Sequence, residues 1–216
     1  MTSQDSSSKH IMERTLPVVE LASLAAKFQT WRTTQEIREA ERRKGSGLVL
    51  PFVKGLWLSA GLVYVLRNIV GESGLKVDWG QLTDESSSLC SPECDVIIHR
   101  GHYARWNDHT EPVMDFKFVR CTSAVAVVSC KSYASSIDRE YSRKLRPYVS
   151  SVFLFSECCA PERLKSLRSR AGAAGYCGFC CLYTYNEKSG ECVTLPDVWL
   201  EFLSGIRSAI EVPKRG

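Results

Sequence analysis

One run of seven residues constrains the fold of this chain more than any other feature of its sequence. Residues 124–130 read AVAVVSC, with no charge, proline or glycine. A strand that is apolar at successive positions, and not only at every second one, is typical of a sheet centre covered on both faces. A second such strand, SVFLFS, is predicted over 151–156. With the helices that interrupt the strands, they predict a mixed α/β domain with one central sheet.

The other elements are placed by periodicity and by turn and cap residues. Helices are predicted over 18–44, over 56–70, from Ser135 or Ser136 to Pro147, over 161–170 and over 197–210. Strands are predicted over 75–82, 94–99 and 179–185, and the polar stretch 100–115 is predicted to be a long loop. The central part of the chain therefore has the predicted order α-β-β-β-α-β.

Length and composition divide the chain into a tail, an arm and one domain. Residues 1–16 are polar and serine-rich and are expected to be disordered. Residues 17–47 are expected to form a helical arm that ends in a Gly-Ser-Gly turn. Residues 48–216 then form a single domain of ordinary size. The net charge of +4 is too small for a purely electrostatic nucleic-acid binder.

The sequence contains no stretch with the length and character of a targeting or membrane segment. Its first fifteen residues include no signal-like apolar region, and the most apolar stretch is the twelve residues 55–66. A membrane-spanning helix needs roughly 18 apolar residues. We therefore expect a soluble, cytoplasmic protein with no membrane partner.

Ten cysteines raise the question of metal binding. One group has zinc-like spacing and consists of Cys177, Cys180, Cys181 and Cys192. It lacks the second C-x-x-C pair of a zinc ribbon, and two of its members fall in the predicted strand 179–185. Free cysteine is among the most buried residue types, so packing in the core is favoured over zinc binding. A zinc protein organised by this group is kept as a third interpretation.

Two short strings carry residues suited to chemistry. Asp95 opens one predicted strand and Lys131 closes another, and alternation places Ser129 on the same face as Lys131. If the two strands are neighbours, the acid and the amine converge at one edge of the sheet. The next predicted helix then brings Asp138 and Glu140 close to them.

Two carboxylates and a lysine suit the hydrolysis of a phosphodiester. Mg²⁺ takes one or two carboxylate oxygens and keeps several waters, one of which can attack phosphorus. A lysine ammonium beside the metal can orient that water and offset the charge that develops in the transition state.

These strings resemble motifs of the PD-(D/E)-x-K superfamily of restriction-endonuclease-like domains. The matching features are the element order, the string P-E-C-D over 92–95 and the string S-C-K over 129–131, and the likeness extends over about 51–156. It is strongest to uncharacterised bacterial members. The resemblance implies a restriction-endonuclease-like fold, a metal-binding role for Asp95, a catalytic role for Lys131, and Mg²⁺ or Mn²⁺ as the cofactor.

The sequence departs from the superfamily pattern at one ligand. The acidic residue expected two positions before the lysine is Ser129 here, which is left as a bystander or a hydrogen-bond donor. Glu140 is the first candidate to replace that ligand, and Asp138 and Glu93 are the others. Each candidate also has a purely structural interpretation. Asp95 could cap a turn, and Glu140 suits the positive end of a helix dipole.

A basic helix following the lysine suggests the substrate. Arg139, Arg143 and Lys144 could follow a phosphate backbone, although a basic helix is more often a solvated face. The sequence thus favours a metal-dependent nuclease acting on DNA, with RNA second and a homodimer through the arm as one possible assembly. The alternative is a catalytically degenerate nuclease fold that binds nucleic acid or protein.

Overall fold

A computed structural model describes residues 49–70, 73–105 and 116–211, together with five residues between 23 and 29. The predicted tail and most of the predicted arm lie outside these residues, so the division at residues 16 and 47 stays a prediction. Ala25 and Phe28 of the arm are described and are buried against the domain core. In the described part of the chain, every helix is too short or too polar to cross a bilayer.

Four helices and eight strands make up the described domain. The helices are α1 (Val49–Val70), α2 (Arg139–Leu145), α3 (Leu164–Ala173) and α4 (Pro196–Glu211), and a 3-10 turn at Pro161–Arg163 precedes α3. The strands are β1 (Lys76–Thr83), β2 (Cys94–His99), β3 (Tyr103–Arg105), β4 (Phe116–Arg120), β5 (Ala124–Tyr133), β6 (Ser151–Cys159), β7 (Gly178–Tyr185) and β8 (Cys192–Thr194).

All eight strands form one sheet in the order β3-β4-β1-β2-β5-β6-β7-β8. The pairs β1–β4, β5–β6 and β6–β7 are parallel, and the other four pairs are antiparallel. This confirms the prediction of one mixed sheet. It also places the two continuously apolar strands, β5 and β6, side by side near its middle.

Helices cover both faces of the sheet and create two cores. On one face α1 and α4 pack against β2, β5, β6 and β7 through side chains such as Leu62 and Phe202. On the other face α2 and α3 pack through Leu145 and Leu167. Burial of a side chain of this size stabilises the fold by about 1.5–3 kcal/mol. The helices that cover β5 on both sides explain why it is apolar at successive positions.

Three sequence predictions need correction. The stretch 100–115 is not one long loop, because it contains β3, and β4 follows it directly without having been predicted. The helix α2 is capped by Asp138, whose Oδ1 accepts the N–H of Tyr141 at 3.0 Å, and not by Ser135 or Ser136. The helix α1 begins at Val49, seven residues before the predicted start at Leu56.

Candidate active site

A β-bulge in β2 determines where Asp95 lies. The register between β1 and β2 shifts by one residue between Asp78 and Gly80. As a result, Asp95 and Val96 both lie opposite Trp79. A bulge bends its strand and re-aims a side chain, and bulges are frequent next to active sites.

The Asp95 carboxylate connects β2 to β5 just beyond the end of their ladder. The paired residues run from His99 with Ala124 to Val96 with Val128. One position further, Asp95 Oδ2 accepts the backbone N–H of Cys130 at 2.7 Å. The predicted neighbourhood of the two strands is therefore confirmed, and the carboxylate lies where they separate.

Burial raises the pKa of Asp95, because the ionised carboxylate loses water. The Cys130 amide and the Lys131 ammonium both favour the ionised form and oppose this shift in part. The Glu93 carboxylate adds to the shift by charge repulsion. Asp95 is thus a partly desolvated carboxylate with one cation and one further carboxylate within electrostatic range.

Lys131 lies inside β5, which continues two residues beyond it to Tyr133. Its side chain is exposed, and its backbone pairs with Ser156 of β6. The neighbouring Ser129 is buried and pairs with Leu154. Asp95 and Lys131 thus lie on neighbouring strands, and the positive charge of Lys131 lowers the pKa of Asp95 against the effect of burial.

Glu93 and Tyr141 are close enough to Asp95 to interact with it electrostatically. The exposed Glu93 accepts the indole N–H of Trp79 on Oε1 at 2.9 Å, and its backbone carbonyl accepts the phenol O–H of Tyr141 at 3.2 Å. Burial raises the pKa of the Tyr141 phenol, and the nearby Cys94 and Asp95 add to the shift. Tyr141 was not singled out in the sequence, because a lone tyrosine among charged helix residues carries no signal.

The two predicted acids of α2 have structural partners. Glu140 is exposed and accepts two hydrogen bonds from Arg143, at 2.6 and 2.8 Å, and Lys144 lies 3.8 Å away. Arg143 lowers the pKa of Glu140 accordingly. Asp138 caps the helix, and its backbone carbonyl accepts the hydroxyl of Tyr176 at 2.7 Å. The carboxylate of Glu140 is thus bound to a side chain of α2, and the carboxylate of Asp138 to a backbone N–H of α2.

The donor set fits a metal ion that keeps most of its water. Among residues 49–70, 73–105 and 116–211, no three His, Cys, Asp or Glu side chains are grouped closely enough to hold a metal ion. Asp95, with Glu93 nearby, offers one or two carboxylates, which is what Mg²⁺ takes when waters complete its shell. Asp95 and Glu93 could therefore supply oxygen ligands to a divalent cation that keeps most of its waters.

A second polar network connects β1 to α1 and to the last residue of β2. Asp78 Oδ1 accepts a hydrogen bond from Arg67 at 2.8 Å, and Asp78 Oδ2 lies 2.9 Å from Nε2 of the fully buried His99. The N–H of Gly101 donates to His99 Nδ1 at 3.1 Å, so Nε2 carries the proton that is donated to Asp78. Burial raises the pKa of Asp78, but His99 and Arg67 outweigh it and the net shift is downward.

A pocket of about 290 Å³ adjoins this network. Lys76 and Lys117 line it and lie over the ring of Tyr103, with their Nζ atoms 5.2 and 4.5 Å from its centroid. Arg67 and Asp78 complete the charged part of the wall. The described lining thus contains three cations and one carboxylate. We call it the Tyr103 pocket.

The cysteine group of β7 is divided between the two cores. Cys180 belongs to the core under α1 and α4, whereas Cys181 belongs to the core under α2 and α3. Successive residues of a strand point to opposite faces, so these two thiols cannot converge on one ion. Cys177 is exposed and precedes the strand. This placement favours packing as the role of Cys180 and Cys181.

The described domain has one mixed sheet with helices on both faces and shares its fold with solved structures of NucC. The fold implied by the sequence resemblance is therefore confirmed. No family model and no curated protein sequence matches the chain. Similarity is found among solved structures.

Those structures are of NucC. The cAAA-bound form from E. coli MS115-1 has a TM-score of 0.58 and 14% identity, covering 91% of this chain and 90% of that chain. The cAAA-bound form from P. aeruginosa ATCC27853 has a TM-score of 0.56 and 12% identity, covering 92% and 93%. The apo form from E. coli MS115-1 has a TM-score of 0.52 and 11% identity, covering 90% and 92%. At such identities the likeness shows the fold.

Proposed function

We propose that this chain is a metal-dependent nuclease that hydrolyses phosphodiester bonds, with DNA as the first substrate and RNA as the second. The observation that carries the proposal is the environment of Asp95. Its carboxylate is partly desolvated, is held by the Cys130 amide and lies within electrostatic range of Lys131. A carboxylate that holds a metal ion and an ammonium that stabilises developing negative charge suit the hydrolysis of a phosphodiester.

Each residue has a role in this proposal. Asp95 holds Mg²⁺ or Mn²⁺, with Glu93 as the nearer second carboxylate. Glu140 and Asp138 remain candidate ligands, although Glu140 must first release Arg143 and Asp138 must give up the cap of α2. When bound, the cation supplies a Lewis acid and an activated water. Lys131 contributes positive charge beside the scissile phosphate, and Ser129 is a bystander or a hydrogen-bond donor.

The exposed cations of α2 are the proposed contacts to nucleic acid. Arg139, Arg143 and Lys144 all face solvent on the helix that is hydrogen-bonded to the Glu93 backbone through Tyr141. Phosphates bound along this helix would therefore lie near Asp95. A homodimer that cuts both strands and a cytoplasmic location remain part of the proposal.

Two substitutions test the catalytic assignment. Asp95→Asn keeps an oxygen that accepts the Cys130 N–H but loses the charge, and Lys131→Ala removes the ammonium. We expect each to lower the rate of plasmid cleavage in Mg²⁺ or Mn²⁺ by about a hundredfold or more. Lys165→Ala, at an exposed position of α3, is the matched control and should cleave at the parent rate. Circular dichroism confirms that all three proteins are folded.

The outcomes separate the two leading functions. If the parent chain binds DNA but cuts neither DNA nor RNA with either metal, the degenerate binding module replaces the nuclease. If the parent chain cuts and Asp95→Asn cuts equally well, the site lies elsewhere. Stoichiometric zinc in the purified protein would favour the third interpretation.

The second oxygen donor can be assigned by comparing Glu93→Gln with Glu140→Gln. Removal of a metal ligand raises the Mg²⁺ concentration needed for half-maximal cleavage, whereas removal of a surface ion pair does not. We expect the larger rise for Glu93→Gln, because Glu93 already acts on the pKa of Asp95. A rise confined to Glu140→Gln would show that α2 rearranges to bring Glu140 to the metal.

We also propose that the Tyr103 pocket binds an anionic ligand that controls the protein. The exposed Lys76 lines the pocket, and Tyr103 offers a ring surface beside two ammonium groups. Two of the similar NucC structures hold cAAA, so cAAA is the first compound to test.

Calorimetric titration with cAAA and with inorganic phosphate tests this pocket. Lys76→Met removes an exposed charge from the wall and should weaken binding about tenfold, the effect of losing one charged hydrogen bond. Lys165→Met is the control and should bind like the parent chain. Absence of binding to the parent chain, or equal binding by Lys76→Met, would exclude this pocket as the site.

A further inference from the structure

Two of the ten cysteines lie far closer together than their separation in the chain suggests. Cys90 precedes β2 and Cys121 follows β4, 31 positions later, yet their sulfur atoms are 2.9 Å apart. A disulfide has an S–S distance of about 2.05 Å. The two sulfurs therefore need to approach by roughly 0.9 Å to form one.

The backbone explains this proximity. The N–H of Cys90 donates to the carbonyl of Leu82 at 3.0 Å, and the N–H of Cys121 donates to the carbonyl of Thr83 at 2.9 Å. Both cysteines are thus attached to successive carbonyls at the end of β1. An isolated bridge between Thr83 and Leu89 holds the segment before Cys90 in place. The pair is positioned by the sheet and not by flexible side chains.

Accessibility separates this pair from the other close thiols. Cys159 and Cys181 are 3.6 Å apart, but both are buried in the core. Cys90 and Cys121 are each partly exposed. A small reagent in solution can therefore reach Cys90 and Cys121 without unfolding of the domain.

We infer that Cys90 and Cys121 form a reversible redox site that is oxidised to a disulfide by low-molecular-weight disulfides such as oxidised glutathione. The thiolate of one cysteine attacks a glutathione sulfur, which forms a mixed disulfide and releases one glutathione. The second cysteine then attacks the protein sulfur of the mixed disulfide and releases the other glutathione. Two electrons pass from the cysteines to glutathione disulfide, and the two thiol protons end on the two glutathione thiols.

The bond would connect two segments that flank the candidate active site. Cys90 lies three residues before Glu93, and Cys121 lies in the turn that leads into β5. Oxidation would thus fix the chain on its approach to Asp95. Burial, followed by the neighbouring Cys121, raises the pKa of Cys90 to about 12. Since the thiolate is the attacking form, oxidation through Cys90 is slow at neutral pH and accelerates as the pH rises.

The test uses the full chain in glutathione buffers of increasing oxidised fraction, followed by acid trapping, alkylation and tryptic mass spectrometry. We expect a linked pair of peptides, 77–100 and 121–131, that is absent from Cys90→Ser and Cys121→Ser. Each peptide holds a second cysteine, at Cys94 and Cys130, so the Cys94→Ala/Cys130→Ala double variant must retain the link. Fragmentation of the linked peptides from the parent chain assigns the bond without any variant.

The extent of mixed disulfide provides a second readout. In the parent chain the second thiol attacks the mixed disulfide within the same molecule, at an effective concentration of mM or higher. Less than about a tenth of Cys90 should therefore remain as the glutathione adduct. Most of Cys90 should carry that adduct in Cys121→Ser. The exposed Cys177 is the internal control and should form only the adduct. A parent chain in which Cys90 accumulates the adduct, or is linked to Cys94, would overturn the inference.

Discussion

Two aspartates on neighbouring strands respond to burial in opposite ways. The Cys130 amide and the Lys131 charge offset the burial of Asp95 only in part, so its pKa is raised. For Asp78 burial also acts upward, but His99 and Arg67 reverse the shift and its pKa is lowered. The ionised form of Asp78 is therefore compensated within the fold, whereas the ionised form of Asp95 is not. A carboxylate that opposes folding is expected where the charge serves a ligand.

This contrast predicts a pH-dependent effect of Asp95→Asn on stability. A raised pKa means that the folded chain holds the Asp95 proton more tightly than the unfolded chain. The resulting stability is present below the ordinary value of 3.8 and is lost as the pH rises through the folded pKa. Asp95→Asn removes this cost, so it should raise the thermal unfolding midpoint at pH 7 and have no such effect below pH 3.8.

Asp78→Asn is the matched comparison, and its effect on stability at pH 7 should be opposite to that of Asp95→Asn. Its lowered pKa contributes stability above the ordinary value of 3.8 that is lost as the pH falls through the folded pKa. The substitution should therefore lower the unfolding midpoint at pH 7. Thermal unfolding of both variants from pH 3 to pH 8 measures the two effects. Destabilisation by Asp95→Asn at pH 7 would show that the Cys130 hydrogen bond outweighs desolvation.

At the scale of elements, the position of the site depends on how closely β1 approaches β4. Gly80 is at the register shift that accompanies the bulge, and it pairs with Lys117 of β4. A Cβ at Gly80 would overlap the carbonyl oxygen of Lys117. Any larger residue must push the two strands apart, because backbone cannot move aside as a flexible side chain does.

Gly80→Ala should accordingly destabilise the domain by about 2 kcal/mol, the usual cost of overpacking. Gly172→Ala in α3 is the control, since a Cβ there meets no atom within 4 Å. It should stabilise the helix by about 0.5–1 kcal/mol through helix propensity. Urea unfolding of both variants gives the two free energies. Equal stability of Gly80→Ala and the parent chain would mean that β1 and β4 are less tightly joined than described.

The apolar strands could be predicted from sequence because a strand that is buried on both faces has apolar residues at successive positions. The strand β2 was placed at 94–99 and β5 over 124–130, and the structure differs only by extending β5 to Tyr133. The strand β4 was missed because its sequence FKFVR reads as a charged segment. Lys117 is nonetheless buried, with its ammonium over the Tyr103 ring. The Tyr103 ring that stabilises the buried ammonium belongs to β3. A pattern within the β4 sequence alone carries no information about it.

The candidate site was less predictable than the fold, for two physical reasons. The bulge at Asp95 arises from pairing with β1, and no residue of the string P-E-C-D encodes it. The role of Glu140 depends on a competition between a metal and Arg143, which lies three positions later on the same helix. Asp95 and Lys131 are candidates from sequence alone, whereas the proximity of Tyr141 to Glu93 depends on the packing of α2 beside β2.

At the scale of the whole molecule, charge is distributed unevenly while the net charge stays near zero. The chain has 28 basic and 24 acidic residues, yet α2 and the helix after it are rich in exposed cations. Part of this charge is already paired, since Glu140 binds Arg143 and Arg168 of α3 donates to Glu201 of α4. The free positive charge is therefore smaller than the sequence suggests.

The salt dependence of DNA binding measures how many of these cations contact phosphate. The logarithm of the binding constant falls linearly with the logarithm of salt concentration, with a slope near −0.9 per phosphate neutralised. Replacing both Arg143 and Lys144 with alanine should make the slope shallower by about 1.8 if both contact DNA. Replacing Arg168 and Arg170 of α3 provides a control of equal charge, and an equal change there would indicate diffuse attraction by the whole chain. A shallower slope confined to the α2 variant would support DNA lying along the helix that borders Asp95.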